Sequence, residues 1–240
     1  MNGIPSHTEH GLFADDTALW TSGNTTTSLS SKLQQAIDAF ESWCKSWKLK
    51  LQPTKTELIH FSYHPRKQYK HPVTVNVDNT SIKPLESTRY LGVIIDKQLK
   101  WRSHLDHIET RIAPRIGLLR YLSRSAYDPN NKTMINIFKS IVRTMIIYGY
   151  PVLLTAKQTV WDRLQIIQNK AIRAALGLPI YTSVDYIHKI SSVPRIKDYA
   201  ISLLHKSIQT AANNNDTTLQ NSSSRNSQSN MKNQTTSLFI

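Results

Sequence analysis

Apolar residues recur along this chain with two periods, and the change from one to the other divides it. Near the start, Leu12-Phe13 and Ala18-Leu19-Trp20 are short aromatic and aliphatic runs that suit strands, and Asp15-Asp16 between them falls where a tight hairpin turns. Hydroxyl-rich residues from Thr21 to Ser28 then offer helix caps. Leu29, Leu33, Ala36, Ile37, Phe40, Trp43, Cys44 and Trp47 follow at three- and four-residue spacing, which predicts an amphipathic helix with one buried stripe. Lys48-Leu49-Lys50-Leu51 alternates like a half-buried strand, Gln52 to Glu57 reads as a turn, and Leu58 to Phe61 as another strand. Val73, Val75 and Val77 alternate strictly before Asp78-Asn79 and Ser81-Ile82, the pattern of a hairpin. Tyr90-Leu91-Gly92-Val93-Ile94-Ile95-Asp96 reads as one buried strand with a bulge at its glycine.

From Trp101 the helical period takes over. Trp101, Leu105, Ile108, Ile112, Ile116 and Leu119 mark one helix that contains Pro114, with His104 and His107 on its polar surface. A second is expected to start at Asp128-Pro129-Asn130, to bury Ile135, Phe138, Ile141, Val142, Met145 and Ile146, and to stop at Gly149 and Pro151. A third runs from Trp161 to Leu176 and ends at Gly177 and Pro179, with shorter helices near Val184 to Ile190 and Arg195 to Ile208. Beyond Thr210 the chain turns to Asn, Ser, Thr and Gln, a composition with little to bury that predicts disorder. The reading is an α+β fold in three parts: a mixed region over 1–96, an all-helical region over 97–210 and a polar tail over 211–240.

Charge narrows the class of partner. Thirty Lys and Arg against 16 Asp and Glu give a formal charge of +14 over 240 residues, which points to a polyanion. With no lipidation signal or basic amphipathic helix, nucleic acid is favoured over a membrane. Cys44 is the single cysteine, which excludes a disulfide framework and points to a reducing, intracellular setting. The N-terminus lacks the features of a signal peptide, and the most apolar run, Met145 to Leu154, is too short for a bilayer and contains Pro151. A soluble protein is expected, in nucleus or cytoplasm.

The adjacent carboxylates are the centre of the chemistry. Two like charges side by side favour a cation between them, and hard Mg²⁺ prefers oxygen ligands. Leu12-Phe13-Ala14-Asp15-Asp16-Thr17-Ala18-Leu19 resembles the aromatic-Ala-Asp-Asp hairpin of reverse transcriptases, specifically those of jockey-like non-LTR retrotransposons. The amphipathic helix with its Pro53-Thr54-Lys55-Thr56 turn, the Leu91-Gly92 strand and Leu164 to Arg173, with Tyr148-Gly149 before it, are similar to further segments of that family in the same order.

The resemblance implies a polymerase palm ending near residue 96 and a helical thumb after it. It implies that Asp15 and Asp16 hold Mg²⁺ or Mn²⁺, that Lys55 approaches the nucleotide phosphates as a proton donor, and that Leu91 and Gly92 face the primer end. Lys48, Lys50, Arg111, Arg115, Lys170 and Arg173 are candidate contacts to nucleic acid. The implied partners are an RNA template, a DNA primer and deoxynucleotides. It also implies that the fingers, the nucleotide-binding motif and a strand with the third carboxylate lie upstream of Met1, so that this chain alone is expected to be inactive. A non-catalytic nucleic-acid-binding module and a decayed remnant stand as alternatives.

Overall fold

The computed structural model describes residues 4–62, 69, 71–124, 129–213 and 235–239. The chain divides into two compact units, Met1–Leu99 with Asn230–Ile240, and Lys100–Ser229. Together they form a mixed α+β architecture of helices and small sheets.

The first unit opens with β1 (Thr8–Phe13) and β2 (Asp16–Gly23), antiparallel, with Phe13 opposite Asp16. The two-residue turn is therefore Ala14-Asp15, with Ala14 at φ 54, and Asp16 is the first strand residue, one position past the tip that the sequence suggested. Helix α1 (Thr26–Ser46) is capped by Thr25, whose hydroxyl accepts from the Ser28 amide at 3.1 Å. Its stripe of Leu29, Leu33, Ala36, Ile37, Phe40 and Cys44 packs with Leu19, Leu58, Val73, Val75 and Val77 into one core.

The expected strand at Lys48 to Leu51 does not form. Lys48 takes a left-handed φ of 57, Leu49 is exposed, and only Leu51 of the two leucines reaches the core. Alternation alone makes no strand without a neighbouring edge to pair with. A single 3₁₀ turn, Pro53–Lys55, instead leads into β3 (Leu58–Phe61).

The valine hairpin forms as β4 (Val75–Val77) and β5 (Thr80–Ile82), with Asp78 and Asn79 both at positive φ, as a primed turn requires. Gln34 of α1 fastens β4 through both of its amide atoms: its Nε2 donates to the Asn76 carbonyl and its Oε1 accepts from the Asn76 amide. The short β6 (Pro84–Leu85) pairs parallel with β3.

Tyr90 to Asp96 is not one bulged strand. It lies in a hairpin of β7 (Ser87–Tyr90) and β8 (Val93–Asp96), and Leu91-Gly92 is its two-residue turn, at φ 45 and 79. Glycine accepts the second of these angles without steric cost, so it turns the chain here.

The tail also departs from expectation. Thr235–Phe239 forms β9, antiparallel to both β2 and β3, so that the main sheet runs β1-β2-β9-β3-β6. Composition reports what side chains can bury; it does not report that two strand edges offer backbone groups to any extended segment. Residues 63–68 and 70, Asp128 with the three residues before it, and the rest of the tail past Asn213 lie outside the described residues.

The second unit is helical throughout its described residues. Helix α2 (Arg102–Leu122) buries Leu105, Ile108, Ile112 and Leu119. It also buries His104, which is 2% exposed with its ring edge toward Trp101, so this histidine belongs to the core rather than the surface. The second expected helix is interrupted. It consists of α3 (Asn131–Phe138), a π-helical turn over Lys139–Arg143 and α4 (Thr144–Ile146). Gly149, at φ 75, then precedes a further short helix, α5 (Tyr150–Leu153), and Pro151 sits in its first turn, where proline's missing N–H costs nothing. Helices α6 (Gln158–Ala175), α7 (Val184–Ser191) and α8 (Ile196–Asn213) complete the unit. No helix among the described residues is long and apolar enough to cross a membrane.

Candidate functional site

The β1–β2 hairpin places both carboxylates in water. Asp15 lies on the turn and Asp16 opens β2, and both are exposed, as are Leu12 and Phe13 just before them. The hairpin is held behind its tip. Trp20 Nε1 donates to Glu9 across the strands at 3.1 Å, and the Thr21 hydroxyl donates to the His7 carbonyl at 2.8 Å. Ala18 and Leu19 are buried beneath, so the tip projects from a fixed base.

A tyrosine that the sequence did not single out packs against the hairpin that carries this pair. The Tyr90 hydroxyl lies 3.7 Å from where a Cβ on Gly11 would sit, and burial, then the charge of Asp16, pushes its pKa up. Tyr90 is the residue before the Leu91-Gly92 turn, so the second hairpin meets the first through this ring. Nothing in the local sequence marks it, because the proximity is made by packing.

Lys55 ends the 3₁₀ turn and is exposed. Two residues on, the Glu57 carboxylate accepts from the Thr88 hydroxyl of β7, which ties the Lys55 turn to the strand that carries Tyr90. Asp16, Tyr90, Leu91, Gly92 and Lys55 thus belong to one connected region of the first unit. Lys48 and Lys50 are exposed on the segment after α1, beside a small cavity of about 160 Å³ that Lys50, Glu41 and Cys44 help to line. Burial, then Glu41, raises the Cys44 thiol pKa, which suits a core residue rather than a nucleophile.

As a metal site the region supplies two adjacent oxygen donors. That chemistry fits a hard divalent cation, but among the described residues no cluster of three or more His, Cys, Asp and Glu could hold one. Asp15 and Asp16 by themselves could supply only part of a coordination shell.

The remaining candidates lie in the second unit. Arg111 is exposed on α2, and Arg115 bends back to donate to the Arg111 carbonyl at 2.5 Å. On α6, Lys170 is exposed, whereas Arg173 donates from Nε and Nη2 to the Thr182 carbonyl at 3.0 and 2.7 Å. Arg173 thus pins the turn after α6 with much of its guanidinium.

The sequence that builds this region is similar to known proteins. Residues 1–95 match the family model described as reverse transcriptase (RNA-dependent DNA polymerase). The proteins that the chain resembles along most of its length are polymerases of mobile elements. It is 26% identical over 190 residues to the RNA-directed DNA polymerase from mobile element jockey of Drosophila melanogaster, a match covering 78% of this chain and 20% of that protein. It is 27% identical over 177 residues to the probable RNA-directed DNA polymerase from transposon BS of the same organism, covering 74% of this chain and 19% of the relative. The jockey polymerase of Drosophila funebris is 27% identical over 188 residues, covering 78% and 20%. The chain thus spans about a fifth of the length of these relatives. No solved structure matches.

Proposed function

We propose that this chain is the C-terminal part of the polymerase region of a non-LTR retrotransposon reverse transcriptase, with the first unit as the end of its palm and the second as its thumb. The observation that carries the reading is the Asp15-Asp16 pair, projecting on a rigid hairpin within the segment that matches reverse transcriptases.

In a longer polymerase, Asp15 and Asp16 bind Mg²⁺ or Mn²⁺ together with a carboxylate from another segment. A metal held there would supply charge stabilisation for the in-line attack of a primer hydroxyl on the α-phosphate of a deoxynucleotide, with pyrophosphate as the leaving group. Lys55 donates a proton toward the departing pyrophosphate, and the Leu91-Gly92 turn supports the primer end. The template is RNA and the primer DNA. Lys48, Lys50, Arg111, Arg115, Lys170 and Arg173 contact phosphates, which position nucleic acid without reading its sequence. The chain by itself is inactive, because two carboxylates do not complete the cage. The charge of +14 favours a second reading in which the isolated chain binds nucleic acid without catalysis.

Primer extension on an RNA template tests the first reading. The chain alone is expected to give no product. The chain fused behind the preceding polymerase region of a jockey relative is expected to extend the primer, and the same fusion with Asp15→Asn to be inactive. In the active fusion, Lys55→Ala is expected to lower kcat more than it raises KM. Extension by the chain alone, or an Asp15→Asn fusion as active as its parent, would place the chemistry elsewhere.

A further inference from the structure

One concave feature of the second unit is lined by no residue given a catalytic role. A cavity of about 860 Å³ opens where the C-terminal ends of α2 and α6 meet the turn that follows α6. Arg120 and Arg124 line it from the first helix end, Lys170 and Arg173 from the second, and Ile180 and Tyr181 from the turn. Among the described residues, no Asp or Glu lines it.

These cations are not consumed by the fold. The ion pairs of this helix pair gather at its other end, where Arg163 of α6 reaches Glu109 and Asp106 of α2, each at 2.6 Å. Among the described residues, no ion pair engages the side chains of Arg120, Arg124 or Lys170, and all three are exposed. A basic residue near a helix C-terminus is favourable by itself, but that effect fades within one turn and does not by itself collect three cations around one cavity, although the charge of Lys170 is also felt by Glu109. Arg173 is the exception and explains the shape. Its two bonds to the Thr182 carbonyl hold the turn so that Tyr181, 86% exposed, and Ile180, 83% exposed, stand at the rim. Gly177 starts that turn at φ 64, where a side chain would be strained.

We propose that this cavity binds single-stranded nucleic acid, with Arg120, Arg124 and Lys170 on successive backbone phosphates and a base stacked on Tyr181. A duplex keeps its bases stacked on one another and offers none to the tyrosine. An acidic peptide would satisfy the charges and leave Tyr181 and Ile180 in water. A strand with free bases uses both halves of the surface, because every base has an apolar face. The proposal deepens the nucleic-acid reading of Lys170 and does not require the polymerase chemistry.

The test uses the whole chain and fluorescent anisotropy with a labelled 12-nucleotide oligo(U), the same length of RNA duplex and a glutamate decamer, over a range of salt. Oligo(U) is expected to bind tightest. Arg120→Gln and Lys170→Gln are each expected to reduce the log–log salt slope by about 1, and Tyr181→Ala to weaken binding about fivefold or more at every salt concentration. Lys132→Gln on α3, which removes the same charge outside the cavity, serves as the control, and circular dichroism melts show that each variant is folded. If Lys132→Gln matches Lys170→Gln, or if Tyr181→Ala binds like its parent, the cavity is not the site although the chain still binds nucleic acid. Tightest binding of duplex or decamer overturns the choice of a single strand. No binding by the parent overturns both this site and the general reading.

Discussion

Asp16 and Lys55 emerge at the same end of the main sheet, each three residues ahead of a leucine, Leu19 and Leu58, that pairs with Phe239 on the strand between them. Because β2 and β3 are both antiparallel to β9, they run parallel to each other, and Leu58 at the start of β3 lies level with Leu19, three residues into β2. Two strand spacings separate the strands by about 10 Å. Lys55, in the 3₁₀ turn that leads into β3, therefore enters the sheet from the end at which Asp16 starts β2.

That arrangement predicts where a paramagnetic ion acts. With Mn²⁺ added to the isotopically labelled chain, the amide signals of Asp15 and Asp16 are expected to broaden first and those around Lys55 next. Asp15→Asn with Asp16→Asn is expected to remove both effects. Broadening at Asp15 and Asp16 with Lys55 untouched would contradict the shared end of the sheet.

The C-terminal strand is expected to stabilise the unit that it completes. Deleting residues 235–240 opens the facing edges of β2 and β3, whose backbone groups then lose their partners. Hydrogen exchange at Leu19–Gly23 and Leu58–Phe61 is expected to accelerate and aggregation to increase, while the β1–β2 pairing keeps its protection. Unchanged exchange in the shortened chain would show that β9 contributes nothing to the sheet.

His104 sets a pH dependence for the helical unit. Burial, and then the nearby His107, hold its pKa below the ordinary histidine value. The unfolded chain therefore takes up the proton first as pH falls. Stability from this residue is complete above the unfolded pKa, about 6.5, and is lost as pH drops from there toward the folded value. Melting of the second unit followed from pH 7.5 to 5 is expected to show a falling Tm, with a shallower fall in His104→Gln. Equal slopes in the two proteins would remove His104 from the account.

Much of this protein was written locally. The three- and four-residue spacing from Leu29 to Cys44 determined α1 and its buried face, the Val73, Val75 and Val77 alternation determined a hairpin, and Phe13-Ala14-Asp15-Asp16 marked the hairpin that carries the carboxylates, because each signal depends only on neighbours in sequence. Where the outcome depended on a distant partner, local pattern failed. Lys48 to Leu51 alternates as a strand should but has no edge to join, and Trp47 continues the stripe of α1 yet stays 67% exposed because the helix ends before it. The tail, poor in anything to bury, supplies the middle strand of a sheet, because backbone pairing asks only for an extended segment between two open edges. Tyr90 against Gly11 of the carboxylate hairpin, Arg173 holding the Tyr181 turn and the gathering of Arg120, Arg124 and Lys170 around one cavity are likewise products of tertiary structure: side chains from separate elements meet only after the cores beneath them have packed.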